Sequence, residues 1–416
     1  MLIKDIGTLV LMPPGPRCGD EMRAVPVLHD AALLARDGRI AWFGPASQAP
    51  ADDGPVYSAA GGCVVPGLID PHTHIPFAGQ RADEFARRIA GESYLSIMQA
   101  GGGIRVTTQA VREASVEELV ELNLPRLARM LSEGVTTCEC KSGYGLAPEH
   151  ELKQLEAIRA LDRAQPIELV PTYLGAHALP AEFDGRADEY IDVISDPALL
   201  RRIAEDKLAR FCDVFCDRGA FDVKQARRVL TRAREAGLGL KVHADELAQI
   251  GASRLAGELG AVSADHLELI DDAGIAALKR AGTVAVVLPG TSFFLGIEHC
   301  DARRLIAAGL PVALSTDCNP GSSMIESLQL IMNIACCQLR MPPAEVLTAV
   351  TANAAAAVGL QDHLGAIQEG YQADLVVLDA PDLAEWFYTP GRNRVVKVFK
   401  RGELVFDAAS AAGSSA

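Results

Sequence analysis

Between about residue 64 and residue 320, short apolar runs alternate with longer stretches in which charged and apolar residues recur at helical spacing. That alternation predicts repeated βα units around a parallel sheet. Eight runs can be counted: Cys63 to Ile69, Gly134 to Cys140, Ile167 to Leu174, Phe211 to Phe215, Leu238 to His243, Ala261 to His266, Thr283 to Leu288 and Pro311 to Thr316. Amphipathic segments such as Glu117 to Ser132, Glu149 to Arg163, Val223 to Ala236 and Asp271 to Ala281 lie between them. Eight units predict an α/β fold, a (β/α)8 TIM barrel over residues 64–364.

The flanks carry a different pattern. Residues 1–63 hold short runs, Ala31 to Ala35 and Ile40 to Phe43, bounded by Asp37-Gly38 and Gly44-Pro45. Residues 365–408 hold Asp374 to Leu378, Val395 to Phe399 and Glu403 to Phe406, the last two joined by Arg401-Gly402. These runs predict a small composite β domain built from both chain ends. Residues 409–416, rich in Ala, Ser and Gly, are expected to form a flexible tail.

In such a barrel the chemistry sits where the strands finish. The first run ends in Asp70-Pro71-His72-Thr73-His74, so two histidines two apart project from one face and can grip a divalent ion. The fifth run ends in His243 followed by Asp245-Glu246, and the eighth in Asp317-Cys318-Asn319-Pro320-Gly321-Ser322. The second leads into Lys141-Ser142-Gly143-Tyr144-Gly145, the third into His177, the sixth into Asp265-His266-Leu267-Glu268. Three imidazoles and a carboxylate suit zinc or iron better than magnesium or calcium. Such an ion brings the pKa of its bound water from 15.7 to about 7. Asp317 can ligate it or accept that water's proton, and Glu246 is placed to act as general base.

Each residue also has a plainer reading. A lone histidine is more often a hydrogen-bonded or surface residue, so His177 and His266 stand on their strand-end context. Arg81 by itself reads equally well as a solvated loop charge. Gly101-Gly102-Gly103 lacks the Lys-Ser/Thr pair of a phosphate loop and reads as a flexible connection.

Composition narrows the partners. A net charge of −15 over 416 residues, without a dense Lys/Arg run, argues against nucleic acid or an anionic membrane. No stretch of eighteen apolar residues and no leader-like start occur, so a cytoplasmic protein is expected. The ten cysteines are scattered and contain no CxxC pair, which favours reduced thiols.

Taken together, Asp70 to His74 followed by Gln80-Arg81, then KSGYG (Lys141 to Gly145), LGAH (Leu174 to His177), VHADE (Val242 to Glu246), SADHLE (Ser263 to Glu268) and TDCNPGS (Thr316 to Ser322), the chain resembles the amidohydrolase superfamily over nearly its whole length. KSGYG with TDCNPG narrows the likeness to the branch that acts in histidine breakdown. The resemblance implies a barrel with a composite β-sandwich, and hydrolysis of 4-imidazolone-5-propanoate to N-formimidoyl-L-glutamate by attack of metal hydroxide on the ring carbonyl. It implies His72, His74, His243 and Asp317 as ligands of one zinc or iron ion. Arg81, Tyr144, His177, Glu246, Asn319, Gly321 and Ser322 are implied as substrate contacts, with His177 polarising the carbonyl. Glu246, His266 and Asp317 form the implied catalytic set, His266 orienting the water or Asp317. The fourth run carries no lysine between Phe211 and Asp217, so a carbamylated lysine bridging a second metal is not expected. The expected partner is a small molecule, and the expected assembly a homodimer. The rival enzyme is a mononuclear aminohydrolase acting on a nucleobase or triazine-like ring. A silent scaffold barrel would have lost its ligands, and all four are present.

Overall fold

The structure, a computed structural model, describes residues 1–92, 96 and 102–413. Eight parallel strands, each hydrogen-bonded to the next, form the barrel: β1 (Leu68–Asp70), β2 (Val135–Lys141), β3 (Glu168–Ala176), β4 (Phe211–Cys216), β5 (Gly239–Ala244), β6 (Ser263–His266), β7 (Val284–Val287) and β8 (Val312–Leu314). Seven fall on the expected runs, and the first overlaps its run only at Leu68 and Ile69. The helices between them include Val116–Ser132, Pro148–Ala164, Val223–Glu235 and Asp272–Ala281. Ser115 and Glu118 cap the first of these reciprocally, and Asp222 accepts from two backbone N–H groups to start the third.

The ring closes between β1 and β8 just beyond the strand ends. Asp317 N–H donates to His72 O at 3.1 Å, and His74 N–H donates to Cys318 O at 3.1 Å. Below that seam, the buried Asp70 carboxylate accepts from Ser315 Oγ, from Thr316 N–H at 3.1 Å and from Thr316 Oγ1 at 2.6 Å. Three candidate ligands are therefore carried by the backbone bonds that join first strand to last.

Strands from both chain ends make the second layer. They hydrogen-bond as one mixed sheet in the order Glu403–Asp407, Val395–Lys400, Leu375–Leu378, Cys63–Pro66, Leu2–Val10, Val27–Arg36, Arg39–Pro45, with Val56–Ser58 beside Leu2–Val10. The middle strands have two buried faces. Cys63, Val65, Val376 and Leu378 pack into the barrel core, whereas Val64, Leu375 and Val377 join Ile3, Ile6, Leu33 and Phe399 in a core of the sheet's own.

Two expectations need correction. The first apolar run is two strands, and residues 64–66, expected in the barrel, pair in the outer sheet with Leu375–Leu378. The break falls at Gly67, where a Cβ would stand 2.2 Å from Thr136 Oγ1 and 3.0 Å from Asp374 Cβ. Only glycine lets the chain pass from one sheet to the other there. At the other end Ala408–Gly413 is helical where a tail was expected from residue 409, and residues 414–416 of that tail lie outside the described residues. Gly101 of the glycine run also lies outside them, while Gly103, at φ 83°, caps helix Ile104–Glu113. Among the described residues no helix is long and apolar enough to cross a membrane.

Candidate metal centre and catalytic pocket

The strand ends bring His72, His74, His243 and Asp317 to one point inside the barrel mouth. His72 Nε2 lies 3.5 Å and His74 Nε2 3.3 Å from Asp317 Oδ1, and His74 Nε2 lies 3.4 Å from His243 Nε2. Two donors each about 2.1 Å from a shared ion at the tetrahedral angle stand about 3.4 Å apart. His72 Nε2 and Asp317 Oδ1 are buried without a hydrogen-bond partner, which a buried polar atom tolerates only if something else satisfies it. Burial holds the His72 and His74 imidazoles well below their ordinary pKa, in the neutral state that ligates metals. The donor set thus fits a divalent ion.

Behind the ligands lies a fully buried layer of charge that the sequence reading did not identify. His72 Nδ1 is 2.6 Å from Asp265 Oδ2, and His243 Nδ1 is 3.0 Å from Asp213 Oδ2. Lys141 Nζ binds Asp213 and Glu139 at 2.9 Å, and Lys241 Nζ binds Glu139 at 2.7 Å and Pro71 O at 3.0 Å. Burial raises the Asp213 carboxyl, but His243 and Lys141 outweigh it and hold it well below the usual range. At Lys141 burial works downward and is overcome by Asp213, Glu139 and Asp265, so the ammonium stays charged. Asp265 accepts Nδ1–H of His72 and turns its Nε2 toward the ion, while Asp213 stands beside His243 Nδ1 without a hydrogen bond to it. The pattern that could reveal them is an acid or lysine two residues from another inward-facing polar residue on a run otherwise apolar: Glu139 with Lys141, Lys241 with His243.

Asp317 divides its two oxygens. Oδ1 faces the histidines, while Oδ2 accepts from Thr291 Oγ1 at 2.5 Å and from Ser322 Oγ at 3.4 Å. Glu246 and His266 lie side by side in the site, with His266 Nε2 3.6 Å from Glu246 Oε2 and His266 Nδ1 3.8 Å from Glu268 Oε2. Burial lowers His266 to about 3 against the pull of Asp317. Burial also lifts Glu246 well above the usual carboxylate range, and Glu268, Asp317 and Asp217 add to it. The loop that carries Glu246 is pinned by Asp217, whose Oδ2 accepts from Glu246 N–H at 2.8 Å and Leu247 N–H at 2.9 Å.

Arg81, Tyr144, His177, Asn319, Gly321 and Ser322 line the same cavity of about 1380 Å³ together with His74, His243, Glu246 and Asp317. Helix Pro148–Ala164 holds the Tyr144 loop: Glu151 accepts from Gly143 and Leu146 N–H, and Gln154 from Tyr144 and Gly145 N–H. The Asn319 side chain, expected at the substrate, is spent within its own turn, donating to Asp317 O and Ser322 Oγ and accepting from Gly321 and Ser322 N–H. His177 stacks on His74 with centroids 5.0 Å apart. Its Nδ1 is 2.8 Å from Gly143 O, so Nδ1 carries the proton and Nε2 of the neutral ring is an acceptor. That tautomer suits a ring N–H of a substrate, not the carbonyl oxygen it was expected to polarise.

Known proteins resemble this chain in sequence and in fold. Residues 63–405 match the family described as the amidohydrolase family. The chain is 47% identical over 413 residues to the imidazolonepropionase of Symbiobacterium thermophilum, covering 98% of this chain and 97% of that protein. It is 49% identical over 404 residues to the imidazolonepropionase of Chloroflexus aggregans, covering 94% and 95%. Among solved structures, an adenosine deaminase from Xanthomonas campestris with bound zinc superposes with a TM-score of 0.72 at 21% identity, covering 100% of this chain and 96% of that one. A 5-methylcytosine deaminase from Klebsiella pneumoniae gives 0.72 at 19%, covering 98% of each. At such identities these two establish a shared fold alone.

Proposed function

The chain belongs to the amidohydrolase family, and we propose that it is a metal-dependent hydrolase of histidine degradation, opening 4-imidazolone-5-propanoate to N-formimidoyl-L-glutamate. The observation that carries the reading is the convergence of three buried imidazoles and Asp317 on one point at the barrel mouth. The relatives of known name strengthen it, since they share 44–49% identity over nearly the whole chain. One zinc or iron ion would be held by His72, His74, His243 and Asp317, where it supplies an acidified water and polarises a carbonyl.

The protein's own groups do the rest. Glu246 takes the proton of the attacking water and returns it to the ring nitrogen as the carbon–nitrogen bond breaks. A carboxyl kept above its ordinary pKa is suited to carry a proton in both directions. His266 orients the water from beside Glu246. The guanidinium of Arg81 takes the propanoate carboxylate, Tyr144 adds a hydroxyl donor, and His177 accepts the ring N–H through Nε2. Ser322 steadies Asp317 from the other side.

Purified protein is assayed with 4-imidazolone-5-propanoate and, as control, with cytosine and guanine, alongside metal analysis. Ring opening by metal-loaded protein, lost with the metal in His243→Ala, is the expected result. Deamination of the nucleobases with no ring opening would defeat the assignment.

A further inference from the structure

Arg81 is the N-terminal cap of helix Ala82–Ile89, and one turn on its guanidinium meets Glu84. Nε and Nη2 both donate to the same carboxylate oxygen, Oε2, at 3.0 and 2.8 Å. The other oxygen, Oε1, accepts from Gly103 N–H at 3.0 Å, at the head of helix Ile104–Glu113. Both side chains are mostly buried, at 10% and 15% exposure, so this pair is shielded from the solvent that makes most surface ion pairs weak.

A guanidinium has two edges that can take a carboxylate, the Nε/Nη2 side and the Nη1/Nη2 end. Glu84 occupies the first, and among the described residues none bonds the second. That free end lies against Gly321, where a Cβ would stand 2.6 Å from Nη1, and both residues line the catalytic cavity. Gly321 therefore contributes clearance: any larger residue would push the guanidinium back from the pocket.

We propose that Glu84 is a positioning residue for carboxylate recognition, clamping Arg81 on its side edge and on the head of helix Ile104–Glu113 so that the Nη1/Nη2 end faces the pocket beside Gly321. The inference rests on the reading that Arg81 takes the substrate's carboxylate. Its ligand class is a carboxylate on a short flexible arm, and it assigns Glu84 no contact with the reacting atoms. Fixing the guanidinium in advance spares the substrate the entropy of ordering it.

The test uses the metal-loaded enzyme with 4-imidazolone-5-propanoate and with the analogue carrying an ethyl group in place of propanoate. Glu84→Gln and Glu84→Ala are expected to raise KM for the propanoate on the order of tenfold with kcat within about twofold, and to leave the analogue's kinetics unchanged. In an Arg81→Ala background the Glu84 substitution should add nothing further. If the parent enzyme favours the propanoate but KM in the Glu84 variants is unchanged or lower, Glu84 is not a clamp, and a lower value would make it a competitor for Arg81. If the parent does not favour the propanoate at all, the Arg81 reading itself has failed, and the clamp with it. Equal losses on both substrates would mark a general structural role and overturn the proposal.

Discussion

His72 Nδ1 and Asp265 Oδ2 stand 2.6 Å apart with neither side chain exposed, which commits the imidazole to a single tautomer with Nε2 toward the metal point. Burial raises the Asp265 carboxyl, and Lys241 and Lys141 pull it back only as far as about 6. An amide in its place can turn its NH2 toward Nδ1 and invert the tautomer. Asp265→Asn should therefore weaken metal binding about 10- to 100-fold, the usual consequence of losing such a partner. Competition of the purified variant with a chromophoric chelator reads this directly. Parental affinity in the variant would show that the pair does not orient the ligand.

The Glu246 loop makes a second case of control at one remove. Asp245 adopts a left-handed φ of 53°, and the turn that follows is tied down by Asp217 Oδ2 through two backbone N–H groups. Asp217 follows β4 and is not among the four candidate ligands, so Asp217→Ala should keep its metal and lose position of the general base. A fall in kcat on the order of tenfold is expected, against the 10²–10⁴ that a general base contributes. Metal content measured on the same preparation separates this from ligand loss, and an unchanged kcat would refute it.

What the sequence reveals follows from how local each signal is. His72 and His74 are legible because two residues on one strand share a face whatever the rest of the chain does. The barrel is legible because eight runs repeat, and repetition survives errors at any one of them. Gly67 is not, because the apolar run continues through it and period-two burial looks the same in either sheet. Asp213 is hidden for a related reason: it is one acid in the strand Phe211–Cys216, and only the lateral packing of barrel strands sets it against His243 of the next strand and Lys141 of β2. The tautomer of His177 depends on Gly143 O, which reaches it from a different strand's loop. Ligand identity is thus written locally, whereas the orientation of ligands comes from contacts between strands distant in sequence.

The seam itself carries measurable stability. Thr316 Oγ1 donates to the fully buried Asp70 Oδ2 at 2.6 Å, joining the last strand to the first beneath the metal point. Thr316→Val keeps the volume and removes the donor, which leaves a buried carboxylate oxygen short of a partner. The expected cost is about 1–3 kcal/mol. Denaturant unfolding of metal-free protein checks it without interference from ligand binding, and an unchanged midpoint would show that the seam does not depend on this bond.

Glu268 carries the last prediction, a dependence on pH. Its side chain is 4% exposed and close to His266, with its own backbone N–H and Ser292 Oγ at 3.5 Å as donors. Burial pushes its carboxyl up to about 8, with Asp317 and Asp217 pushing in the same direction. A folded-state value above the unfolded one means that the native protein favours the neutral acid. The associated stability is fully present below the unfolded value near 4.5 and is lost as the pH rises through about 8. Glutamine imitates the neutral acid at every pH, so Glu268→Gln should gain thermal stability over the parent progressively from pH 5 to pH 9, with the two melting curves closest at the acid end. Thermal melts of both proteins across that range decide the matter. A difference that stays constant with pH would mean that Glu268 ionises as readily in the folded chain as in the unfolded one.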